Sequence, residues 1–320
     1  METPKTIFTN QPKLSEDKAD EKFNERRLAL LPIIEKYISG YEHFAGEKVK
    51  VTFAETGVSS LVSIIETEKE KFVLKMPLSK SYSLGEAQFL KVWEQAGVKV
   101  PHIFDEGVID GESYVLMEYI DAPMIRGAYT DEEMIEKGVY TEMGNILRLM
   151  HEPRGEGYGN VIDGKGEYET FAEWLNGADM QKRMAYVQEN KVLPDILELL
   201  PKIFEILKDH AEKENKSSFC HDDFAGNIFA TDPLTVFDPN PRFNNRYVDV
   251  GRTMMNFLAR NLYPKQILES YFANETCDEK VLQASIFLGI FMKLTYAHKK
   301  GNLERIQNWQ NYINQNKHLL

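Results

Sequence analysis

Residues 217–240 read SSFCHDDFAGNIFATDPLTVFDPN, and the order of polar groups in this stretch decides the fold class. A short apolar segment leads into His221 and two adjacent carboxylates, Asp222 and Asp223. Asn227 follows closely, and a second apolar segment ends at Asp238. Because neighbouring side chains on an extended segment point to opposite sides, we expect only one of the two adjacent carboxylates to face a site.

This combination is typical of loops that move a phosphoryl group from a nucleotide to a hydroxyl. In such loops one carboxylate accepts or orients the hydroxyl proton, while an Asn and a further Asp hold Mg²⁺ against the phosphates. Asn227 and Asp238 offer the oxygen ligands that Mg²⁺ prefers. We interpret His221 as a buried residue that fixes the loop backbone. Asp249 is interpreted as a structural residue that ties this loop to a helix expected to begin at Arg252.

A lysine and a glutamate far upstream complete the pattern. Lys75 ends the apolar strand KFVLK, and Glu86 lies at the start of the next helix, where the helix dipole favours an acid in any case. Together they can hold an ammonium group on the α- and β-phosphates of a nucleotide. The turn at residues 56–60 could add backbone N–H groups and the hydroxyls of Ser59 and Ser60 as phosphate donors. A plain hairpin turn explains those residues equally well.

Composition narrows the class of protein. The 320 residues carry a formal net charge of −12, which argues against nucleic acid as the main partner. The acidic charge suits a cationic small molecule, although a solvated surface accounts for it equally. Only two cysteines occur, which favours a cytoplasmic protein without a disulfide framework. The longest mostly apolar run, residues 284–292, is too short to cross a membrane, so it predicts a buried helix and no membrane partner. Zinc spacings, nucleophile elbows and Gly-rich dinucleotide or P-loop motifs are absent from the sequence.

The chain reads as an α+β protein in two parts after a polar lead-in at residues 1–25. Residues 26–121 combine a helix at 27–38 with alternating or β-branched strands and an Asp110-Gly111 hairpin turn. Residues 122–320 are mainly helical, with a capping box at Thr130 and Glu133 and a kink or break expected at Pro201. A crevice between two such lobes is a natural place for a ligand.

Taken in order, these motifs resemble the aminoglycoside phosphotransferase family, which has the two-lobed protein-kinase-like fold. The likeness covers roughly residues 49–262 and includes FVLK, Glu86, the hinge YVLMEYIDAP, the GYGN loop, CHDDFAGNIF and VFDPNP. The segments FCHDDF and KKGNLERIQNW look most like the hygromycin B kinases. The resemblance implies a kinase of small molecules, with ATP or GTP as donor and Mg²⁺ as cofactor. The short segment between Asp238 and Asp249 argues against a protein substrate.

Residue roles follow from the resemblance alone. Lys75 would contact the α- and β-phosphates, and Glu86 would hold Lys75. The carbonyl of Glu118 and the N–H of Ile120 would meet the purine. Asn227 and Asp238 would bind Mg²⁺, and Asp223 would position the acceptor hydroxyl.

One departure leaves the base open. The family places four residues between the catalytic Asp and the Asn, whereas only three separate Asp223 from Asn227. Either the loop is shorter and Asp223 is the base, or Asp222 is the base and Cys220 stands in the usual His position. We favour Asp223. The expected acceptor is an aminoglycoside such as hygromycin B. The alternatives are choline, a sugar amine or a macrolide, or else a catalytically inactive nucleotide-binding module. A monomer or weak dimer is expected.

Overall fold

The computed structural model describes residues 4–15, 21–55, 59–78 and 85–320, and the chain forms two compact units. The first unit comprises Met1–Lys91 and Val100–Asp121, and the second comprises Val92–Lys99 and Ala122–Leu320. One division therefore falls after Asp121, where the β-rich part was expected to end. The sequence did not indicate that Val92–Lys99 belongs with the second unit. The segment is held there by Trp93, which is buried and donates its Nε1–H to the Met150 carbonyl at 3.1 Å, and by the Lys99 carbonyl, which accepts from Val236 N at 2.9 Å.

A six-stranded sheet dominates the first unit, with strand order β1-β2-β3-β4-β6-β5. Only the β1–β2 pair is parallel among the described strands. The alternation of exposed and buried residues along the second strand is the period of a half-buried strand, and the buried face joins an apolar core with Ile34, Phe44 and Leu74. The strands are β1 (Lys5–Phe8), β2 (Lys48–Phe53), β3 (Ser60–Glu66), β4 (Lys71–Pro77), β5 (Ile103–Ile109) and β6 (Glu112–Glu118), and the helices are α1 (Asn24–Ala29), α2 (Leu31–Gly40) and α3 (Gly85–Gln95).

The polar lead-in differs from expectation because part of it joins the sheet. β1 pairs with β2 from Lys5 opposite Lys48 to Phe8 opposite Val51. Phe8 stacks on Phe53 with ring centroids 5.9 Å apart, which gives this edge strand an apolar contact. The single helix expected at 27–38 is instead two helices, α1 and α2, and Pro32 occupies the first turn of α2 where its missing N–H costs nothing.

The hairpin predicted at Asp110-Gly111 is confirmed. Both residues have positive φ, 51° and 81°, as the tight turn between β5 and β6 requires. β6 then pairs with β4, so that Lys75 lies opposite Val115 on one side and Val62 of β3 on the other. Lys75 therefore sits on an interior strand, where its backbone is fixed on both sides.

The second unit is mainly helical, as predicted. The predicted Thr130–Glu133 capping box is present, and it lies at the start of the short helix Asp131–Glu136. The helices are α4 (Ile125–Ala128), α5 (Asp131–Glu136), α6 (Val139–His151), α7 (Phe171–Leu175), α8 (Ala178–Asn190), α9 (Asp195–Glu214), α10 (Arg246–Leu258), α11 (Lys265–Tyr271), α12 (Glu279–Lys299) and α13 (Leu303–Asn316).

Three helix boundaries in this unit differ from the predictions. Gly138 adopts φ 68° and divides the helix expected after Thr130 into α5 and α6. α9 continues through Pro201, so of the kink or break expected there the break is absent. α10 begins at Arg246, not at Arg252, because the Asn245 side chain accepts the Tyr247 N–H at 2.9 Å and caps it. Asp249 thus lies inside the first turn of α10.

Two small sheets of the second unit flank the stretch that opened the sequence analysis. The five-stranded sheet has the order β7-β10-β13-β8-β9, and β11 pairs with β12 in the other. Their strands are β7 (Arg154–Gly155), β8 (Tyr158–Ile162), β9 (Lys165–Tyr168), β10 (Ser217–Cys220), β11 (Ile228–Phe229), β12 (Thr235–Val236) and β13 (Arg242–Asn244). The sequence patterns did not predict β7, β8 and β9.

Among the residues that the model covers, α12 is the one helix with the length and apolar content to cross a membrane. Most of it is buried against the rest of the protein, 78% of the apolar window. This is the behaviour of the core helix that the apolar run at 284–292 predicted.

Candidate active site

The loop between β10 and β11 carries His221, Asp222, Asp223 and Asn227, and the segment after β12 carries Asp238. The two segments are joined by backbone hydrogen bonds. Asn240 N–H donates to the His221 carbonyl at 3.0 Å, and Phe237 N–H donates to the Asn227 carbonyl at 3.1 Å. Because Phe237 precedes Asp238, the second bond brings Asp238 to the same end of the β11–β12 pair as Asn227.

Asp249 anchors the start of the loop. Its carboxylate accepts the backbone N–H of His221 at 2.7 Å and that of Asp222 at 2.8 Å, and it lies 3.1 Å from His151 Nε2. Burial alone would raise the pKa of this carboxyl, but the hydrogen bond and charge of His151 hold the pKa below its ordinary 3.8. Asp249 therefore stays ionised and fixes the loop backbone to α10, which is the structural role that the sequence suggested.

His221 is fully buried and packs as a support for the loop. Its Nε2 lies 3.0 Å from the Phe237 carbonyl, and its ring stacks on Trp93 with a centroid distance of 5.7 Å and an interplanar angle of 6°. Its Nδ1 accepts the backbone N–H of Asp223 at 3.4 Å, so the side chain is occupied on its ring face and on both nitrogens. This geometry suits a residue that fixes the loop, as we interpreted it.

Asp222 is directed into the protein. Its side chain is 4% exposed, with Oδ1 2.6 Å from Arg252 Nε and Oδ2 2.8 Å from the Asn240 amide nitrogen that donates to it. Arg242 Nε lies 3.1 Å from Oδ2 as an ion pair, although its N–H does not have hydrogen-bond geometry. The backbone adopts φ 62°, the left-handed region that costs an aspartate little. Each oxygen of this carboxylate has a charged partner inside the protein.

Asp223 has the opposite environment. Its side chain is 43% exposed, and among the described residues it forms an ion pair with Lys293, whose Nζ lies 3.4 Å from Oδ1. Burial would raise the pKa of this carboxyl, but the charges of Lys293, Arg252 and His221 lower the pKa below its ordinary 3.8. Asp223 is thus an ionised carboxylate that can accept a hydrogen bond from a ligand hydroxyl.

Asn227 and Asp238 have the chemistry of a Mg²⁺ site. The Asn227 Nδ2 donates to the backbone carbonyl of Asp223 at 3.0 Å, which orients the amide and leaves its oxygen to act as a ligand. Asp238 is exposed and follows the β12 strand. A neutral amide oxygen and a carboxylate are the donor types that a hard cation takes, with phosphate oxygens completing its shell. The residues present fit the ion.

The first unit contains an ion pair of its own. Lys75 Nζ lies 2.8 Å from both oxygens of Glu86, and each side chain is 10% exposed. The predicted partnership of a strand lysine with a helix glutamate is therefore present in the structure. Such a pair holds a lysine in one orientation.

The structure shows where the other residues predicted to bind the nucleotide lie, but no described contact joins them into one site. Ser60 begins β3 and is buried, while Ser59 is exposed and its carbonyl accepts from Leu78 N–H at 2.9 Å. The turn residues 56–58 lie outside the described residues. Glu118 ends β6, exchanging backbone and side-chain hydrogen bonds with His102, and Ile120 follows in the half-buried segment after it.

Sequence reasoning missed two cations next to the loop that carries Asp222 and Asp223, namely Arg252 and Lys293. Arg252 lies three residues after Asp249 on α10, so a helical face shared by the two could have indicated it. Lys293 follows the apolar run 284–292 inside α12, and a charge within a buried helix is itself a signal of a partner. Neither position could be linked to Asp222 or Asp223 without the fold.

His151, Cys220 and Asp249 also meet, with one potential ligand atom from each within 4.8 Å of the others. All three are buried, and burial raises the pKa of the Cys220 thiol, so the sulfur stays protonated. Asp249 and His151 already satisfy each other, the loop backbone and Tyr271. The cluster is explained as a hydrogen-bond network.

The fold and these loops define a class, the phosphotransferases with a protein-kinase-like α+β fold. Residues 50–265 match the model of the phosphotransferase enzyme family, which is more than half of the chain. The chain belongs to this family, and it is a kinase that uses a nucleotide donor and a hydroxyl acceptor on a small molecule.

Individual relatives are distant. A probable ketoamine kinase from Staphylococcus aureus is 23% identical over 209 residues, which are 59% of this chain and 67% of that protein. A putative fructosamine-3-kinase from Haemophilus somnus superposes with a TM-score of 0.60 at 16% identity, covering 88% of this chain and 96% of its own. The aminoglycoside phosphotransferase APH(4)-Ia, in a ternary complex with ADP and hygromycin B, gives 0.59 at 14% identity, covering 82% and 92%. At these identities the structural likenesses show the fold alone.

Proposed function

We propose that this protein transfers the γ-phosphoryl group of ATP or GTP to a hydroxyl of an amine-bearing sugar, and that Asp223 is the residue that positions the hydroxyl. The observation that carries the assignment is the contrast between the two adjacent carboxylates. Asp222 is enclosed by Arg252, Arg242 and Asn240, whereas Asp223 is half exposed and ionised. Only the second can meet a ligand without breaking buried ion pairs.

In the proposed reaction the acceptor oxygen attacks the γ-phosphorus, and the bond from that phosphorus to the β–γ bridging oxygen breaks. The hydroxyl proton passes to the Asp223 carboxylate, and the nucleoside diphosphate leaves with the electron pair. Because the transition state of phosphoryl transfer is loose, orientation of the hydroxyl matters more than the strength of the base. A carboxylate whose pKa lies below 3.8 suits that task.

The other roles follow the same scheme. Lys75, held by Glu86, contacts the α- and β-phosphates, and Lys293 keeps the Asp223 carboxylate in place. Ser59 and Ser60 are donors to phosphate, and Glu118 and Ile120 meet the purine through the backbone. Asn227 and Asp238 hold Mg²⁺, which when bound neutralises charge on the phosphates. A cytoplasmic monomer or weak dimer is proposed as the working form, supported by two unpaired cysteines.

The acceptor class is supported by the sequence relative. The matched Staphylococcus aureus protein is described as a probable ketoamine kinase, a ketoamine being a sugar joined to an amine. An aminoglycoside such as hygromycin B is the second candidate, favoured by the fold shared with APH(4)-Ia. Neither of these two comparisons supports choline or a macrolide as the acceptor.

An acceptor panel tests the proposal. Release of nucleoside diphosphate is followed with Mg·ATP or Mg·GTP and with ketoamines, aminoglycosides, choline and a macrolide in turn. We expect turnover with an amine-bearing sugar that depends on Mg²⁺. Thermal stabilisation by nucleotide without turnover on any acceptor would favour an inactive nucleotide-binding module. Turnover with choline alone would show that the acceptor is not an amine-bearing sugar.

A further inference from the structure

A cavity of about 640 Å³ lies in the second unit, among α11, the start of α12 and the end of α13, and we call it the α12 cavity. The residues that line it all fall within 263–319, so it belongs to one compact unit. Its volume is in the range of pockets that enclose small organic molecules. The cavity is separate from the candidate active site. Lys293, which contacts Asp223, lies ten residues beyond the lining residue Gln283 along α12, roughly 15 Å at the rise of an α-helix.

Aromatic and aliphatic side chains form much of the wall. Tyr263 and Tyr312 stack with ring centroids 6.2 Å apart and an interplanar angle of 22°, and the buried Phe272 also lines the cavity. Tyr263 and Leu319 are exposed, so apolar surface of the wall faces solvent. A wall of this kind favours a ligand with a ring or another apolar body.

One buried polar side chain of the wall is only half satisfied. Gln283 is 5% exposed, and its Oε1 accepts the Tyr312 hydroxyl at 3.0 Å. This bond holds the amide next to a second residue that lines the cavity. The Nε2 of the same amide has no acceptor among the residues that the structure describes. Because a buried donor without an acceptor is costly, a ligand oxygen that reached this amide would gain a full hydrogen bond.

The charged side chains of the wall are mostly acidic. Glu269 and Glu279 line the cavity, and neither forms an ion pair within the described ranges. Glu275 differs, because Arg246 Nη2 donates to its Oε2 at 2.9 Å. Lys265 is the one basic residue that lines the cavity in the described part of the chain. Two carboxylates without partners, in a wall that also presents aromatic faces, suit an organic cation.

We propose that the α12 cavity binds a small organic ammonium compound that carries an apolar ring and a hydrogen-bond acceptor. The ring packs against the aromatic wall, the acceptor oxygen takes the N–H of the Gln283 amide, and the ammonium group lies near Glu269 and Glu279. This binding site goes beyond the proposed kinase reaction and does not depend on which molecule is phosphorylated.

Three compounds test which of these features matter. Phenylalaninamide has a ring, an ammonium group and a carbonyl oxygen, whereas phenethylamine lacks the carbonyl and N-acetylphenylalaninamide lacks the charge. By calorimetry with the wild-type protein, we expect phenylalaninamide to bind about twofold to tenfold more tightly than phenethylamine, the range of one hydrogen bond. It should bind about twofold to fivefold more tightly than the neutral compound, the range of a cation–π contact at an exposed site.

Cys277 reports whether a compound occupies the cavity. It lines the cavity and is partly exposed, whereas Cys220 is buried. Burial raises the pKa of the Cys277 thiol to about 11, so its alkylation by iodoacetamide is followed at one fixed alkaline pH. Saturating phenylalaninamide should slow this alkylation. A Cys277→Ser protein should lose the signal and still bind the compound.

Variants assign each feature to a residue. Gln283→Leu should bring the affinity ratio of phenylalaninamide to phenethylamine towards one. Glu269→Gln and Glu279→Gln, both at exposed positions, should fold as the wild type and bring the ratio of phenylalaninamide to the neutral compound towards one. Glu304→Gln removes an exposed charge from α13 outside the cavity, so both ratios should stay as in the wild type.

Three results would overturn the inference. The first is the absence of saturable binding of phenylalaninamide to the wild-type protein. The second is binding that leaves the alkylation rate of Cys277 unchanged, because the compound would then lie elsewhere. The third is a set of affinity ratios that survives in every lining variant that folds. Neither readout uses phosphoryl transfer, so a protein without turnover on any acceptor would refute the proposed function and leave this test intact.

Discussion

Exchange of each adjacent aspartate for asparagine should separate folding from catalysis, and the separation follows from their different partners. The Asp222 carboxylate lies 2.6 Å from Arg252 Nε, and both side chains are at most 5% exposed. Asparagine keeps the shape and removes the charge, which leaves Arg252 buried without its counter-ion. Breaking one partner of a buried ion pair costs about 3–5 kcal/mol of folding free energy. Total stabilities are only about 5–15 kcal/mol, so Asp222→Asn should be strongly destabilised.

Asp223→Asn should have the reverse profile. The carboxylate is 43% exposed and its pair with Lys293 is 3.4 Å long, so solvent screening limits the loss of stability to about 1 kcal/mol or less. Loss of the group that orients and accepts the hydroxyl proton should reduce kcat by about 10²–10⁴-fold. Nucleotide affinity should change little, because the residue faces the acceptor in the proposed scheme.

Two measurements on the same preparations decide the matter. Urea denaturation followed by tryptophan fluorescence gives the free energy of unfolding, and nucleoside diphosphate release with saturating acceptor gives kcat for the folded fraction. A folded Asp222→Asn protein with no turnover, beside an Asp223→Asn protein with wild-type turnover, would refute the assignment. In that case the base is Asp222 and Cys220 stands where the family has its His.

Three further predictions concern other parts of the chain. Lys75→Met should remove the ammonium group that lies 2.8 Å from the buried Glu86 carboxylate, lowering stability by about 3–5 kcal/mol and raising the nucleotide KM, whereas the double variant with Glu86→Gln should recover stability but not KM. Gly251→Ala should unfold the protein at lower urea than the wild type because its Cβ would overlap the backbone of α12, while Gly40→Ala, with open space around it, should not. The depressed pKa of Asp249 adds stability above its ordinary 3.8 that is lost as pH falls through the lower folded-state value, so Asp249→Asn should flatten the acid limb of a stability–pH curve measured by urea denaturation.

Local features of the fold could be predicted from the sequence because they depend on neighbouring residues. The Asp110-Gly111 turn and the Thr130–Glu133 capping box are each set by a few side chains acting on adjacent backbone. The apolar segment KFVLK likewise indicated β4, although the strand continues past Lys75 to Pro77. The predicted helix boundaries were wrong where a single residue sets the end of a helix, as at Gly138 with its positive φ.

The supports of the candidate site could not be predicted in the same way. His221 and Asp222 owe their backbone position to Asp249, and Asp222 owes its charge balance to Arg252, contacts that span roughly thirty positions or fewer along the chain but different secondary-structure elements. Nothing in the spacing of these residues indicates which of two consecutive aspartates turns inward. That choice is made by the cations that the fold brings beside one of them, and by the left-handed backbone at Asp222.

Net charge gave the weakest guide to the acceptor, for a physical reason. The value of −12 is a property of the whole surface and suited a cationic ligand. A bound molecule responds to charges within about one Debye length, roughly 8–10 Å at physiological ionic strength. Beside Asp223 the structure places a cation, Lys293, whose Nζ lies 3.4 Å from Oδ1, so the charges that a ligand meets here differ from the average of the whole surface. The net charge therefore does not decide between a polycation and a zwitterionic amine-bearing sugar, and the acceptor panel has to make that distinction.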